Sequence, residues 1–383
     1  MNRLWKGRDS KMTLGEFTTI QRLAGSHITF SLTMACPLRC AHCAVDAGPH
    51  RSASTISAAQ AEAYARQMPE LAGEGIAAIS FTGGEPLLAR GPLRILSSAA
   101  EKAGMVCGVV TSAYWANSVD EAARVIRSVP GISCWDISID RYHTEYVPVE
   151  KVKNGFIAAR LAGKKPVLRM SGGEEPSKED LKVFDDILAF AGRGDISLQK
   201  FRQMGRGNGL GFVLEEGIPW AKPCVTQGMV VREDGSIGPC CVTLANEKMH
   251  PFQFGNAHER PLKEIHGDFM RHPLLQLLRV VGFSPVIRWL AEAGMEHKIP
   301  DPVPLDTCDL CARLFSDSET CDFLNRRASS ADIRLRTAIL LSKAMNEQMM
   351  LRHAVDELRE EGHRIEGYEL AAALAEEQRT ERP

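Results

Sequence analysis

Six short β-prone runs separated by amphipathic helical stretches occupy residues 27 to 204, and they constrain the fold more than any other feature of this chain. The runs are HITFSLT, AAISFTG, VCGVVTS, CWDISID, PVLRMSG and ISLQKFRQM. Between them lie SAAQAEAYARQMPELAGEG, GPLRILSSAAEKAG, SVDEAARVIRSVP, PVEKVKNGFIAARLAGKK and SKEDLKVFDDILAFAGR, with apolar residues three and four positions apart. Several of these open on a cap-like Ser or Asp and close near Gly. Each crossover is long enough to return the chain to a parallel neighbour, so the pattern predicts an α/β architecture, either an open barrel or a doubly wound sheet.

The rhythm changes near residue 207, where GRGNGLGFVLEEG reads as a boundary. Beyond it, MVVREDGSIGPCCV predicts a hairpin turning at Asp234-Gly235, and a helical insert follows at 262–296. Residues 330–378 predict one or two amphipathic helices whose Met and Leu stripe serves as core or docking surface. The expected domains are an N-terminal extension at 1–26, a core at 27–212, a cysteine-rich domain at 213–325 and a helical tail at 326–383.

Lys and Arg number 46 against 48 Asp and Glu, leaving a net charge of −2, so no broad basic field points to nucleic acid or an anionic membrane. The N-terminus MNRLWKGRDSKMTLGEF is charged throughout and lacks a signal-type apolar run, and no stretch supplies eighteen apolar residues in succession. A cytoplasmic location is expected. The chain has 11 cysteines, and in a reducing compartment clustered thiols point to metal or redox chemistry rather than disulfides.

Cys36, Cys40 and Cys43 directly follow the first strand, at the end where ligands bind in parallel α/β sheets. A cubane iron–sulfur cluster takes one external ligand per iron, so three thiolates leave one iron open. A closed zinc site using His42 as fourth ligand, or unligated buried thiols, are the alternatives at this point. Gly83-Gly84-Glu85-Pro86 follows the second strand, and its glycines admit a ligand close to the backbone. In CWDISID, period-two alternation puts Cys134, Asp136, Ser138 and Asp140 on one face and Trp135, Ile137 and Ile139 on the other. Arg169 and Ser171 likewise project together, and an inward Arg needs an anion. Tyr142 and His143 fall on a loop at the mouth, and Cys107 reads as a buried small hydrophobe.

The C-x3-C-x2-C loop and the GGEP segment together resemble the radical S-adenosylmethionine (radical SAM) superfamily; His42 stands where that family usually has an aromatic residue. The resemblance implies a partial (β/α)6 TIM-like barrel with a C-terminal cysteine-rich SPASM/Twitch-like domain and a helical tail. It implies a [4Fe-4S] cluster on Cys36, Cys40 and Cys43 whose open iron is chelated by SAM. Gly83, Gly84, Glu85 and Pro86 would hold the SAM amino group, Ser138 and Asp140 the SAM ribose or the substrate, and Arg169 and Ser171 further parts of SAM.

The stretch from Cys224 to Cys240 resembles the SPASM/Twitch extension, including its Gly-x4-Cys element at Gly235–Cys240. Cys308, Cys311 and Cys321 match its later part, but Asp317 stands where another cysteine is usual and no cysteine follows Cys321. One auxiliary [4Fe-4S] cluster on Cys224, Cys240, Cys308 and Cys311 is therefore expected, with Cys321 or Cys241 as substitute ligands, and a second is not. The implied chemistry is reductive cleavage of SAM to a 5'-deoxyadenosyl radical that takes a substrate hydrogen. The expected setting is peptide maturation, with radical dehydrogenation of a small alcohol, aminocyclitol or sugar as the alternative, and a zinc-stabilised binding protein as the non-catalytic one. Expected partners are the peptide or small-molecule substrate and a flavodoxin- or ferredoxin-type electron donor.

Overall fold

The computed structural model describes residues 14–173, 176–201, 204–210, 221–226, 228–240, 251–301, 304, 306–345 and 348–365. Cys241, residues 366–378 of the expected tail and residues 211–217 of the glycine-rich boundary lie outside them. Eight strands form one sheet in the order β6-β5-β4-β3-β2-β1-β7-β8. β1 (His27–Thr33), β2 (Ala78–Gly83), β3 (Val106–Thr111), β4 (Cys134–Ser138), β5 (Lys165–Gly172) and β6 (Ile196–Lys200) are the six runs expected from the sequence. Each pairs in parallel with the next. The sheet is open, because β6 ends one edge while β1 goes on to pair with β7 (Met229–Val231). β7 turns back antiparallel into β8 (Ile237–Gly238), the predicted hairpin.

Alternating burial along β2 to β5 separates two faces. Ile79, Phe81, Val109, Trp135, Ile137, Leu168 and Met170 are buried beneath the helices. Ser80, Thr82, Gly108, Asp136, Ser138, Arg169 and Ser171 form the half-buried opposite face. That asymmetry is what period-two alternation imposes on a sheet covered on one side and lining a polar interior on the other. Burying one large apolar side chain is worth roughly 1.5–3 kcal/mol, so a register slip that reversed these faces would be heavily penalised.

The crossover helices start where their caps lie. Ser57 and Gln60 form a reciprocal capping box at helix Ala58–Ala65, Ser118 accepts from the Glu121 N–H, and Ser177 pairs with Asp180 at helix Lys178–Leu188. The first helical stretch is not continuous: it divides into Ala58–Ala65 and Met68–Gly73, with Pro69 in the first turn of the second. Proline lacks the N–H an uninterrupted helix would need there but fits a first turn.

The described part of the cysteine-rich region packs onto the sheet. One apolar core runs from the sheet into helices Leu262–Arg271, Pro273–Val280, Ser284–Glu292, Thr307–Leu314 and Ser318–Ala328. Helices Ala331–Met345 and Gln348–Glu360 pack on each other through Leu335, Ala338, Leu351, Val355 and Leu358, so these leucines of the stripe are core, while the side chains of Met345, Met349 and Met350 lie outside the described residues. Among the described residues, no single helix is long and apolar enough to cross a membrane.

His272 is a pH-sensitive joint in this region. Its Nδ1 accepts from the Leu275 N–H (3.3 Å) at the start of helix Pro273–Val280, and its ring packs edge-on against Phe252. Burial pushes the imidazole down to about 4, below its ordinary value near 6.5. The stability that depends on the neutral ring is complete above pH 6.5 and falls as pH drops from 6.5 to 4, by at most about 3 kcal/mol. Urea unfolding should show a midpoint that declines across this window, and His272→Gln should flatten that slope.

Candidate active site at the mouth of the sheet

The thiol loop is an excursion from the end of β1, closed at its base by backbone bonds. Met34 N–H donates to Ser54 (2.8 Å), Gly48 N–H to Met34 (3.1 Å) and Cys36 N–H to Gly48 (3.3 Å). Thr33 Oγ1 accepts from Ala35 N–H (2.9 Å) and donates to Ser54 C=O (2.9 Å). Cys40 is buried, while Cys36 and Cys43 are half-buried. Burial first, then the charges of Glu85 and Cys43, push the Cys36 thiol up to about 12. Burial, Asp140 and the other two thiols push Cys40 higher still. Crowded, desolvated thiols such as Cys36 and Cys40 hold their protons unless a cation replaces them, as at an iron or zinc site.

β2 ends against this loop. Gly84 N–H donates to Thr33 C=O (2.5 Å) and Glu85 N–H to Ala35 C=O (2.8 Å). Gly83 has φ +127, and a Cβ there would lie 2.2 Å from the Thr33 carbonyl; a Cβ on Gly84 would lie 2.2 Å from that of Ala35. Only glycine permits so close an approach. The Glu85 carboxylate turns away from the loop, accepting from Thr111 Oγ1 (2.8 Å), Ser112 N–H (2.9 Å), Ser112 Oγ (2.7 Å) and Leu87 N–H (3.2 Å). Burial raises its pKa against the pull of these bonds. Whatever this segment offers a ligand comes from its main chain, and Glu85 ties the loop to the end of β3. Pro86 opens the short 3-10 helix Pro86–Ala89.

Two residues expected to contact a ligand, Asp140 after β4 and Arg169 on β5, are engaged within the protein. Asp140 is fully buried and caps the turn Arg141–Thr144 by accepting from Tyr142 and His143 N–H groups, both at 3.0 Å. Its other oxygen lies 2.9 Å from His143 Nδ1 and 3.3 Å from His42 Nε2. Burial works to raise its pKa, but the two imidazoles hold the carboxyl well below the usual carboxylate range. Asp140 thus organises the mouth from within, through Tyr142, His143 and His42, and Ser138 lies half-buried on the same face. Arg169 already has its anion: Asp136 accepts from its Nε (2.9 Å) and again from its Nη2, with Gln199 Oε1 3.5 Å from Nη1. Asp136, on the neighbouring strand β4, supplies the counter-charge expected from a ligand. Ser171 lies half-buried on the same face.

The second thiol group gathers around Cys311. Burial raises that thiol well above its ordinary value, followed by the charges of Cys224, Cys240, Cys308 and Cys321. Cys308 and Cys311 stand on the first turns of helix Thr307–Leu314, which Asp306 caps by accepting from Asp309 N–H (2.8 Å). Cys224 is fixed by its N–H to Leu278 C=O (2.8 Å) and by Gln21 Nε2 donating to its carbonyl (2.7 Å). Cys321 is buried, with its Sγ 3.3 Å from Phe315 C=O, and burial pushes it up to about 11. Asp317 caps helix Ser318–Ala328 by accepting from Thr320 N–H (2.8 Å). A cysteine there could not make that cap.

A family model described as the radical SAM superfamily matches residues 30–186, and one described as an iron-sulfur cluster-binding domain, SPASM, matches residues 224–289. Residues 30–186 thus carry a radical SAM domain, and residues 224–289 a SPASM domain.

Among curated proteins it is 26% identical to the Fe-coproporphyrin III synthase of Methanosarcina barkeri (strain Fusaro / DSM 804) over 222 residues, 51% of this chain and 54% of that protein. The chain thus spans about half the length of the curated relative it matches. Among solved structures, BtrN in complex with AdoMet and 2-DOIA shares 15% identity at a TM-score of 0.38, covering 75% of this chain and 91% of that one. A putative dihydrodipicolinate synthase family protein from Coccidioides immitis shares 11% identity at a TM-score of 0.26, covering 91% and 96%.

A radical SAM domain with a SPASM domain implies [4Fe-4S] clusters and S-adenosylmethionine. The residues present fit that chemistry: crowded thiols that want a cation, beside a glycine cradle that a Cβ would fill. Sequence reading missed the ring packing around the thiol loop. His42 stacks on Tyr142 (4.9 Å between ring centroids, 27°) and meets Phe201 edge-on (5.4 Å), so the departure from an aromatic residue still yields a ring stack. The only signal for Gln21 was its place on an amphipathic helix (Leu14–Gly25) outside every motif.

Proposed function

We propose that this radical SAM enzyme cleaves S-adenosylmethionine reductively at a cluster held by Cys36, Cys40 and Cys43, and abstracts hydrogen from a small polar molecule in the sheet interior. The observation that carries the reading is the meeting of the three-thiol loop with the Gly83-Gly84 cradle at the end of β1 and β2. When bound, the cluster and SAM supply a 5'-deoxyadenosyl radical able to attack an unactivated C–H bond. The chain's part is to bind and orient. The main chain of Gly83, Gly84, Glu85 and Pro86 would hold the SAM amino group, and the half-buried hydroxyls of Ser138 and Ser171 would be available for further SAM or substrate contacts. The Asp136–Arg169 pair forms a polar wall for substrate.

Cys224, Cys240, Cys308 and Cys311 hold one auxiliary [4Fe-4S] cluster, suited to take the electron left on a product radical. A single such cluster and a polar interior favour two-electron oxidation of an alcohol, aminocyclitol or sugar over peptide maturation. The partial relative that makes Fe-coproporphyrin III supports a small-molecule substrate. A flavodoxin- or ferredoxin-type protein would supply the reducing electron.

Protein purified and reconstituted without oxygen should hold about eight irons, four per cluster, and should form 5'-deoxyadenosine from SAM after reduction. Zinc in place of iron would refute the assignment. Deuterium from labelled polyols, aminocyclitols or sugars should enter 5'-deoxyadenosine. Deuterium arriving only from peptides encoded beside this gene would establish peptide maturation instead.

A further inference from the structure

The glycine-rich segment after β6 reads from sequence as a boundary, yet it grips the thiol loop. Arg206 reaches across 160 or more positions of sequence to the loop's tip. Its backbone N–H donates to Cys43 C=O (3.0 Å). Its Nε donates to Cys40 C=O (3.1 Å), and its Nη1 to Ala47 C=O and Asp46 Oδ1, both at 2.7 Å. Gly205 (φ +54) makes this approach feasible, because a Cβ there would lie 2.5 Å from Cys43 C=O and 2.6 Å from Ala44 C=O. Asp46, gripped by the same guanidinium, has φ 50, a conformation that non-glycine residues rarely adopt without support. The base of the loop is closed by its own backbone bonds, whereas the carbonyls of Cys40, Cys43 and Ala47 at the tip accept from one arginine.

We propose that Arg206 is a positioning residue that latches the Cys40–Ala47 segment and, by its charge, holds the SAM-binding cluster at a potential its electron donor can reach. The proposal rests on Cys36, Cys40 and Cys43 as the cluster ligands. A planar five-donor fork can bridge several carbonyls at once, which a lysine cannot. A fixed cation bonded to the Cys40 carbonyl lies beside the thiolates and favours the state carrying one more electron.

The test uses full-length, anaerobically reconstituted protein with Arg206→Gln and Arg206→Lys. The reduced fraction of the SAM-responsive cluster is followed by electron paramagnetic resonance at fixed potential, and the auxiliary cluster serves as internal control. Arg206→Gln should keep about eight irons but lower the reduced fraction of that cluster alone about tenfold, equivalent to about 59 mV for a one-electron couple. Arg206→Lys should keep the reduced fraction within about twofold while 5'-deoxyadenosine formation falls roughly tenfold, since charge survives and the latch does not. Wild-type values in Arg206→Gln, or equal loss of reduced fraction in both variants, would overturn the proposal. If Arg206→Gln sheds the cluster, Arg206→Lys decides the matter by the same two readouts. Wild-type protein without a SAM-responsive cluster would instead defeat the ligand assignment beneath it.

Discussion

Cys40→Ala should abolish 5'-deoxyadenosine formation, lowering it at least a thousandfold, while about four irons of the auxiliary cluster stay in place. Cys40 is the most deeply placed thiol of its loop, 6% exposed, and water has little access to replace its sulfur. The remaining Cys36 and Cys43 thiols cannot complete a three-thiolate set, so a SAM-cleaving cluster has no site to assemble on. The measurement is iron content with 5'-deoxyadenosine yield on the same anaerobic sample. Full yield from the alanine variant would remove Cys40 from the ligand set.

Gly84→Ala tests the cradle with a single methyl group. The new Cβ would meet the Ala35 carbonyl at 2.2 Å and its carbon at 2.7 Å. Both are backbone atoms, which cannot rotate away as a flexible side chain could. The chain must therefore move β2 away from the loop or push Ala35, immediately before Cys36, off its position. Overpacking of this kind costs about 1–3 kcal/mol of stability. The effect on turnover should be larger, at least a hundredfold, because misplacing a reacting group by about 1 Å is worth that much in rate. Folding followed by circular dichroism, iron content and SAM affinity should separate the two. The variant should fold and hold iron yet bind SAM weakly, and wild-type SAM affinity would show that the close approach is not part of the site.

Strand positions, the thiol loop and the inward face of β4 were legible because each depends on local spacing. Period-two alternation in CWDISID says which face Asp136 occupies, and three cysteines within eight positions mark a candidate metal loop. What alternation does not encode is the partner. Asp136 and Arg169 come together because β4 and β5 pair in a register that sets Ser138 beside Arg169, and no local pattern carries that register. Asp140 was read from its face alone, although its position before a short helix also suits an N-cap. β7 has three residues, too few for any period, so its parallel seat against β1 was invisible. Arg206 was hidden for a similar reason: flanking glycines that signal a linker also allow the close approach that makes it a latch.

The seat of β7 on β1 ties one part of the proposed auxiliary site to the strand that leads into the thiol loop. Ile28, Thr29 and Phe30 on the strand that leads into Cys36 align with Met229, Val230 and Val231, just downstream of Cys224 and upstream of Cys240. An electron taking this route between the clusters would travel through a hydrogen-bonded ladder. Its transfer rate should be insensitive to solvent viscosity, unlike shuttles in which a tethered carrier must swing between docking positions.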